Sequence, residues 1–376
     1  MTKSRKIKLY PTTQQKVMFK QWFAAARFLY NKTVEYFQGL EGARPHWTVV
    51  KAQMLLDLPE WLASVPYQVK SMAVSDACDS LSRGKLAVKR GQVVRFSLGF
   101  KSRREPKQSC FIPMTAIKPK GIYPRLSGQM YYSESLPEQH RDSRLVSENG
   151  EYFLAVSFKA TAEQNEREPS SRLVALDPGV RSFLTFYSQD NCGKIGDQSQ
   201  QRVVRLLFWL DKLVSKQSLA AGQLKRRFKQ AAGRLRTKIS NLVDELHWQA
   251  IRFLTKNYST ILLPILDTKS LALKVGRRLR KKSVRAMLGL GHGQFRTRLA
   301  SKCKELGIHL RYVREDYTSK TCSWSGEMVK IGSRNVIAGA DGVKMDRDIN
   351  GARGILLRAL VDTPSSFKFE HAASVC

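Results

Sequence analysis

The chain has 376 residues, room for two or three domains, and 42% of them are hydrophobic, an ordinary globular share that excludes wholesale disorder. Lys and Arg total 65 against 31 acidic residues, a formal net charge of +34; so much like charge repels itself in a compact chain and is relieved by a polyanion, with counterion release in addition. Nucleic acid is the expected partner rather than a membrane: no apolar run reaches the ~18 residues of a span, no long basic amphipathic helix carries bulky anchors, and MTKSRKIKLYPTTQQK lacks a secretory core.

RKIKLY, residues 5–10, alternates as a strand, and Pro11 stops it. Thr12 or Thr13 then caps a helix bearing Val17, Phe19, Trp22, Phe23, Ala26, Leu29 and Tyr30. A second helical stretch covers about 48–90, with breaks near Pro59 and Pro66. The aromatics between Phe28 and Phe37 suit base stacking, though core packing is their commoner fate. Residues 91–160 change character: VVRFSLGF, CFIPM, QMYYSES and EYFLAVSFKA read as short strands of a small antiparallel barrel or sheet. Lys101, Arg103, Arg104 and Lys107 form a basic loop between two of them.

The polar stretch 161–171 is the clearest linker. RLVALD and SFLTFYS follow as strands, then a long basic helical region over 199–258 and the buried strand TILLPIL. Residues 269–282, KSLALKVGRRLRKK, carry the densest positive charge. A helix over about 283–306, a strand IHLRYVRE and a last helix over about 348–361 complete an α/β half with a mixed sheet. The six cysteines, Cys78, Cys110, Cys192, Cys303, Cys322 and Cys376, include no CxxC pair and read as reduced thiols of an intracellular protein.

Two-metal hydrolysis of a phosphodiester needs carboxylates gathered round ions ~4 Å apart. Asp177 ends the apolar strand LVALD ahead of Pro178-Gly179, where a carboxylate stands at the sheet centre beside a turn. Capping that turn is its plainer role. Asp346 and Asp348 precede the last helix in MDRDINGARGI, and either suits an N-cap. Asn350-Gly351-Ala352 are small enough for that helix to approach the sheet closely. His247, beside Trp248 on a helix, has no nucleophile nearby and reads as structural.

Five stretches in order, KLYPTTQQ with ARFLYN, FKSRREPKQS, LVALDPGVRSFLTFY, YTSKTCSWSG and MDRDINGARGILLRALVDT, span nearly the whole chain. Together they resemble the transposon-encoded TnpB nucleases and their Fanzor relatives, kin of the single-protein type V CRISPR effectors. The resemblance implies a multidomain fold of α/β and β parts. An N-terminal β-barrel wedge domain would cover 1–10 and 91–160, with a helical recognition insertion over 11–90. A RuvC, RNase H-like mixed-sheet nuclease domain would cover 172–316 and 344–376, with a zinc-ribbon-like insert over 317–343. It implies an RNA-guided endonuclease with a guide RNA and target double-stranded DNA as partners and Mg²⁺ or Mn²⁺ as cofactor. Asp177 would be the first RuvC acid and Asp348 the third.

Two departures from the pattern matter. The second RuvC acid usually closes a strand that here reads Ile261-Leu262-Leu263-Pro264, and proline binds no metal. In the Fanzor-like branch a glutamate farther along substitutes; the candidate here is Glu315, with Asp267 as fallback. If neither substitutes, the protein is a nuclease-impaired, RNA-guided DNA-binding protein, a repressor or transposon accessory factor; a plain nucleic-acid binder without a guide is a third reading. The four ribbon positions read Cys322, Ser325, Ala338 and Asp341, which leaves one thiolate where structural Zn²⁺ needs four ligands, so no structural zinc is expected and Trp324 is expected to help hold the segment. Backbone-phosphate contacts are expected from Lys101, Arg103, Arg104, Lys225, Arg226, Arg227, Arg277, Arg278, Arg280, Lys281 and Lys282. The location expected is cytoplasm and nucleoid in a bacterium and the nucleus in a eukaryote, and the sequence leaves the oligomeric state open.

Overall fold

The structure, a computed structural model, describes residues 2–41, 45–159, 172–197, 199–265, 281–313, 320–329 and 334–362. The chain forms two compact units, Met1–Thr161 and Ala162–Cys376. The expected linker 161–171, most of the basic run 269–282, Asp267 and Glu315 lie outside the described residues.

The first unit opens with β1 (Thr2–Tyr10) and α1 (Thr13–Gln38). Thr12 starts the helix through a capping box: its Oγ1 accepts from Gln15 N–H, and Gln15 Oε1 accepts from Thr12 N–H. Next come α2 (Trp47–Leu55) and α3 (Tyr67–Lys89), separated at Pro59 and Pro66 as the sequence suggests. The remaining elements are β2 (Lys107–Ile112), β3 (Ile117–Lys118), β4 (Gly121–Ile122), α4 (Pro124–Ser127), β5 (Tyr131–Tyr132), β6 (Ser143–Glu148) and β7 (Glu151–Lys159). Five strands make an antiparallel sheet in the order β2-β6-β7-β1-β5, with β3 and β4 as a separate pair. Among the described residues no ladder joins β2 to β5.

Phe19, Trp22, Leu29, Ile7, Leu145 and Leu154 are fully buried between the sheet and the helices. Two details differ from the sequence reading. VVRFSLGF is no strand: it joins no ladder among the described residues, Val94 is 93% exposed, Leu98 packs against Tyr30, Val34 and Ala77, and the Phe96 ring lies over Gly84. SRLVSE forms β6 instead, because it alternates against β7. The aromatics of α1 went to packing: Phe28 meets Trp61 edge-on at 5.7 Å, and Tyr30 is buried.

The second unit holds β8 (Leu173–Pro178), β9 (Leu184–Ser188) and β10 (Cys192–Ile195), then the helical hairpin α5 (Ser199–Leu219) and α6 (Gly222–Asn257). It continues with β11 (Thr260–Pro264), α7 (Lys281–Leu290), α8 (His292–Leu306), β12 (His309–Val313), β13 (Val336–Ala338), β14 (Lys344–Asp346) and α9 (Arg347–Asp362). Five strands form one mixed sheet in the order β10-β9-β8-β11-β12. β8, β11 and β12 run parallel, and β9 and β10 are antiparallel. The helix expected over 283–306 is two, because Gly291 adopts a left-handed φ of 64° that ends one and starts the other.

Period-2 alternation divides this sheet cleanly. Val174, Leu176, Leu184, Phe186, Ile261 and Leu263 pack on α6 and α8. Ala175 and Leu262, with Leu173, Tyr187 and Val313, pack on Ile355, Leu356 and Ala359 of α9. Asp177 shares the parity of Leu173 and Ala175, which puts it on the α9 face. No helix among the described residues is long and apolar enough to cross a membrane.

Behind the turn that follows Asp177, Phe183 is sandwiched between His247 and His292, each 5.1 Å away and stacked, with Phe295 edge-on. His292 Nε2 lies 3.0 Å from the Gly179 carbonyl and must carry the proton that it donates there. Its Nδ1 is buried with no partner among the described residues. Burial pushes the His292 pKa down to about 4 from the usual 6.5, and the nearby His247 adds to this. His247, buried as a structural residue as the sequence suggests, is pushed down by burial too. The unfolded chain therefore binds more protons between these values, and stability present above pH 6.5 is lost as the pH falls towards about 4. Urea unfolding followed across that window is expected to lose about 3 kcal/mol to His292, and His292→Gln is expected to flatten the slope.

Candidate active site

Asp177 ends β8 at the edge of the apolar core, where the strand runs into Pro178-Gly179. Helix α9 crosses directly over it. A Cβ built on Gly351 would stand 2.7 Å from Asp177 Oδ2, inside any normal contact. Only a glycine lets the helix backbone approach this carboxylate so closely. Asp348 lies one turn earlier on α9, on the same helical face as Gly351.

The Asp346/Asp348 ambiguity resolves through hydrogen bonds. Asp346 Oδ1 accepts from the backbone N–H of Asp348 at 3.0 Å and of Ile349 at 3.3 Å, which makes Asp346 the N-cap of α9. Its Oδ2 accepts from Lys194 Nζ at 2.8 Å. Burial works to raise the Asp346 carboxyl, but the Lys194 hydrogen bond and the backbone donors outweigh it, and the pKa falls below the usual carboxylate value. Asp348 is left in the first turn with one oxygen 3.8 Å from Lys194 Nζ.

Lys194 is the site residue that sequence reasoning missed. On β10 it pairs with Thr185 of β9, which pairs with Asp177 of β8, so Asp177, Thr185 and Lys194 form one row across three strands. Its pKa is raised, first by the hydrogen bond to Asp346 and then by the charges of Asp346, Asp348 and Asp197 against the cost of burial. The available signal was weak: one lysine in a four-residue edge strand, informative only once the register is known.

Pro264 closes β11. The parallel register pairs Leu262 with Ala175, and two residues on it brings Pro264 level with Asp177. The place where the sequence lacks an acid is thus the sheet position next to Asp177. β12 pairs with β11 as far as Pro264 and Val313, and Val313 packs on the α9 face. Glu315 lies two residues farther, outside the described residues, as does Asp267. Among the described residues no three His, Cys, Asp or Glu side chains are grouped closely enough to hold a metal.

The ribbon segment docks on the same helix. Asn350, fully buried, donates to Thr321 O and accepts from Ser323 N–H, each at 2.9 Å. Trp324 Nε1 donates to Asp341 Oδ2 at 2.9 Å, and Glu327 accepts from Ala340 N–H at 3.2 Å. Cys322 is buried with Ile337, flanked by Trp324, Val329 and Met345. Hydrogen bonds and a small apolar cluster therefore join the two knuckles, and Trp324 sits where the sequence expectation put it. Arg181, from the turn after Asp177, reaches Asn335 of the same segment.

The expected phosphate contacts are dispersed. Arg103, Arg104, Lys107, Lys225, Arg226, Arg227 and Lys282 are exposed. Lys101 is mostly buried: its Nζ sits 3.8 Å from the centre of the Tyr30 ring, and burial lowers its pKa, which makes it a poor free phosphate contact. Asn31 ties down its backbone on both sides. Lys281 opens α7, and Arg277, Arg278 and Arg280 lie outside the described residues.

Residues 292–355 match the Cas12f1-like, TNB domain family, and residues 1–38, which form β1 and α1, match a helix-turn-helix domain family. The chain is 28% identical over 95% of its length to a “putative transposase” of Paramecium bursaria Chlorella virus 1, covering 87% of that protein. It is 22% identical over 94% of its length to a TnpB-like protein of Acanthamoeba polyphaga mimivirus, covering 72% of it. Together these matches support a TnpB-family protein related to the type V effectors. Its fold is similar to that of Cas12f1 in a complex with single-guide RNA and target DNA. The TM-score is 0.51 at 13% identity, over 94% of this chain and 98% of that one. The first matched family stretch runs from the start of α8 into α9 as far as Ile355, and so contains Asp348, Asn350 and Gly351.

Two outcomes test this geometry. Gly351→Ala is expected to move the melting temperature by less than about 5 °C, because the new methyl displaces the Asp177 carboxylate and not the helix. A zinc chelator is expected to leave the melt unchanged, whereas Trp324→Phe, which removes the donor to Asp341, lowers it.

Proposed function

We propose that this protein is a transposon-associated, RNA-guided DNA endonuclease that cuts phosphodiester bonds with a RuvC-type centre. The observation that carries this is the seating of the Asp177 carboxylate against Gly351, one helical turn from Asp348. The mixed sheet with Asp177 at the end of its central strand supports an RNase H-like assignment. The transposase and TnpB-like relatives support the transposon association. The guide RNA and target DNA in the Cas12f1 complex motivate the same partners here, and +34 suits them.

In this reading residues 172–316 and 344–376 form the nuclease domain and 317–343 an insert that contacts target nucleic acid. Residues 1–10 and 91–160 form the wedge, and 11–90 the recognition part. Asp177 and Asp348 are hard oxygen donors of the type that Mg²⁺ or Mn²⁺ takes. Glu315 is assigned as the third acid from its place in the sequence, two residues after Val313 on the strand beside β11, where Pro264 stands in place of an acid. Divalent ions bound there supply an activated water and charge stabilisation for the departing oxygen. Gly351 gives the Asp177 carboxylate its room, Asp346 fixes the start of α9 and so the direction of Asp348, and exposed Arg and Lys side chains hold the phosphate backbone without reading sequence.

A second reading, an RNA-guided DNA-binding protein that no longer cuts, is favoured by Pro264 beside Asp177 and by a lysine among the acids. One assay separates the two. The ribonucleoprotein is purified, its RNA is sequenced, and a plasmid carrying the matching target is offered with Mg²⁺ or Mn²⁺. The nuclease reading expects cleavage that Asp177→Ala and Glu315→Gln abolish without loss of binding, and that Asp267→Asn spares. Tight binding with no nicking by the unaltered protein supports the second reading.

A further inference from the structure

The lysine among the acids has a consequence for how the site handles charge. Lys194 reaches it from the outermost strand of the sheet, through the row that also holds Thr185 and Asp177. Its ammonium donates to Asp346 at 2.8 Å and stands 3.8 Å from Asp348. Asp346 is thereby fully engaged, with one oxygen on two backbone N–H groups and the other on the lysine. Asp348 keeps an electrostatic tie to Lys194 that is loose enough to leave its oxygens open. Lys194 and both acids are partly sheltered, with side-chain exposures of 27%, 32% and 31%, so solvent screens the arrangement only in part.

We infer that Lys194 is a positioning residue of the proposed cleavage centre: it closes Asp346 off from metal, directs Asp348 towards it, and sets one positive charge against the bound ions. This role rests on the nuclease reading above. It carries an unusual signature, because the ammonium opposes a divalent cation while ordering one of the ligands. Removing it makes the cluster more negative, so metal binds more tightly even as the geometry for cutting is lost. A lysine with a merely structural role gives the opposite correlation, with metal binding and cutting falling together.

The test is Mn²⁺ titration of the full-length protein by electron paramagnetic resonance, run beside plasmid cleavage by the ribonucleoprotein. Lys194→Met keeps the stem without the charge and is expected to bind Mn²⁺ roughly three- to tenfold more tightly than the unaltered chain, with cleavage down at least about tenfold. Lys194→Arg keeps the charge and is expected to restore Mn²⁺ affinity and part of the cleavage. Circular dichroism melts show whether each variant folds, and Lys194→Gln replaces Lys194→Met if the latter does not. Unchanged or weaker Mn²⁺ binding in a folded, charge-free variant overturns the role while leaving the nuclease reading standing. Absence of Mn²⁺ binding by the unaltered chain overturns both.

Discussion

A carboxylate pressed against a glycine organises the second unit. Asp177 can stand at the end of a buried strand only because α9 brings backbone, not side chain, over it at Gly351. The rest of the local structure serves that approach. Asp346 fixes where the helix begins, Asn350 pins it to the ribbon, and Ile355, Leu356 and Ala359 seat it on the sheet. Opposite, the stacked His247, Phe183 and His292 brace the turn that follows Asp177 through the Gly179 carbonyl.

The same helix links the candidate centre to the ribbon segment. Thr321 and Ser323 bind the side chain of a residue two positions from Asp348. Within this segment Trp324 donates to Asp341 and Glu327 accepts from the Ala340 N–H. The charge pattern follows a different rule. Exposed Arg and Lys side chains are spread over loops and helices in both units, which suits the proposed reading in which a guide RNA reads the sequence.

Much of this was legible in the sequence where local physics decides. The helix start at Thr12 or Thr13, the breaks near Pro59 and Pro66, the strands ending at Asp177 and Pro264 and the last helix followed from turn chemistry and periodicity. What escaped depended on partners far along the chain. VVRFSLGF looks as strand-like as SRLVSE, and only the presence of β7 beside the latter separates them. The split of α7 from α8 needed the backbone angle of Gly291. Asp177 and Asp348 stood out because acids beside apolar strands and helix starts are conspicuous and the resemblance named both, while which of Asp346 and Asp348 caps the helix required the hydrogen-bond geometry. Lys194 was invisible because its significance lies in a three-strand register. Lys101 looked like the exposed residues of its loop until the face of Tyr30 claimed it.

The central claim is that Asp177, Asp348 and Glu315 grip metal at one point, and localised oxidation tests it most directly. Fe²⁺ taken up in place of Mg²⁺, followed by peroxide and ascorbate, breaks backbone only close to the bound ion. Mapping the breaks by mass spectrometry is expected to give cuts clustered near residues 177, 315 and 348 that excess Mg²⁺ suppresses. Cuts at 177 and 348 with none near 315, or cuts elsewhere in the chain, contradict the three-acid centre.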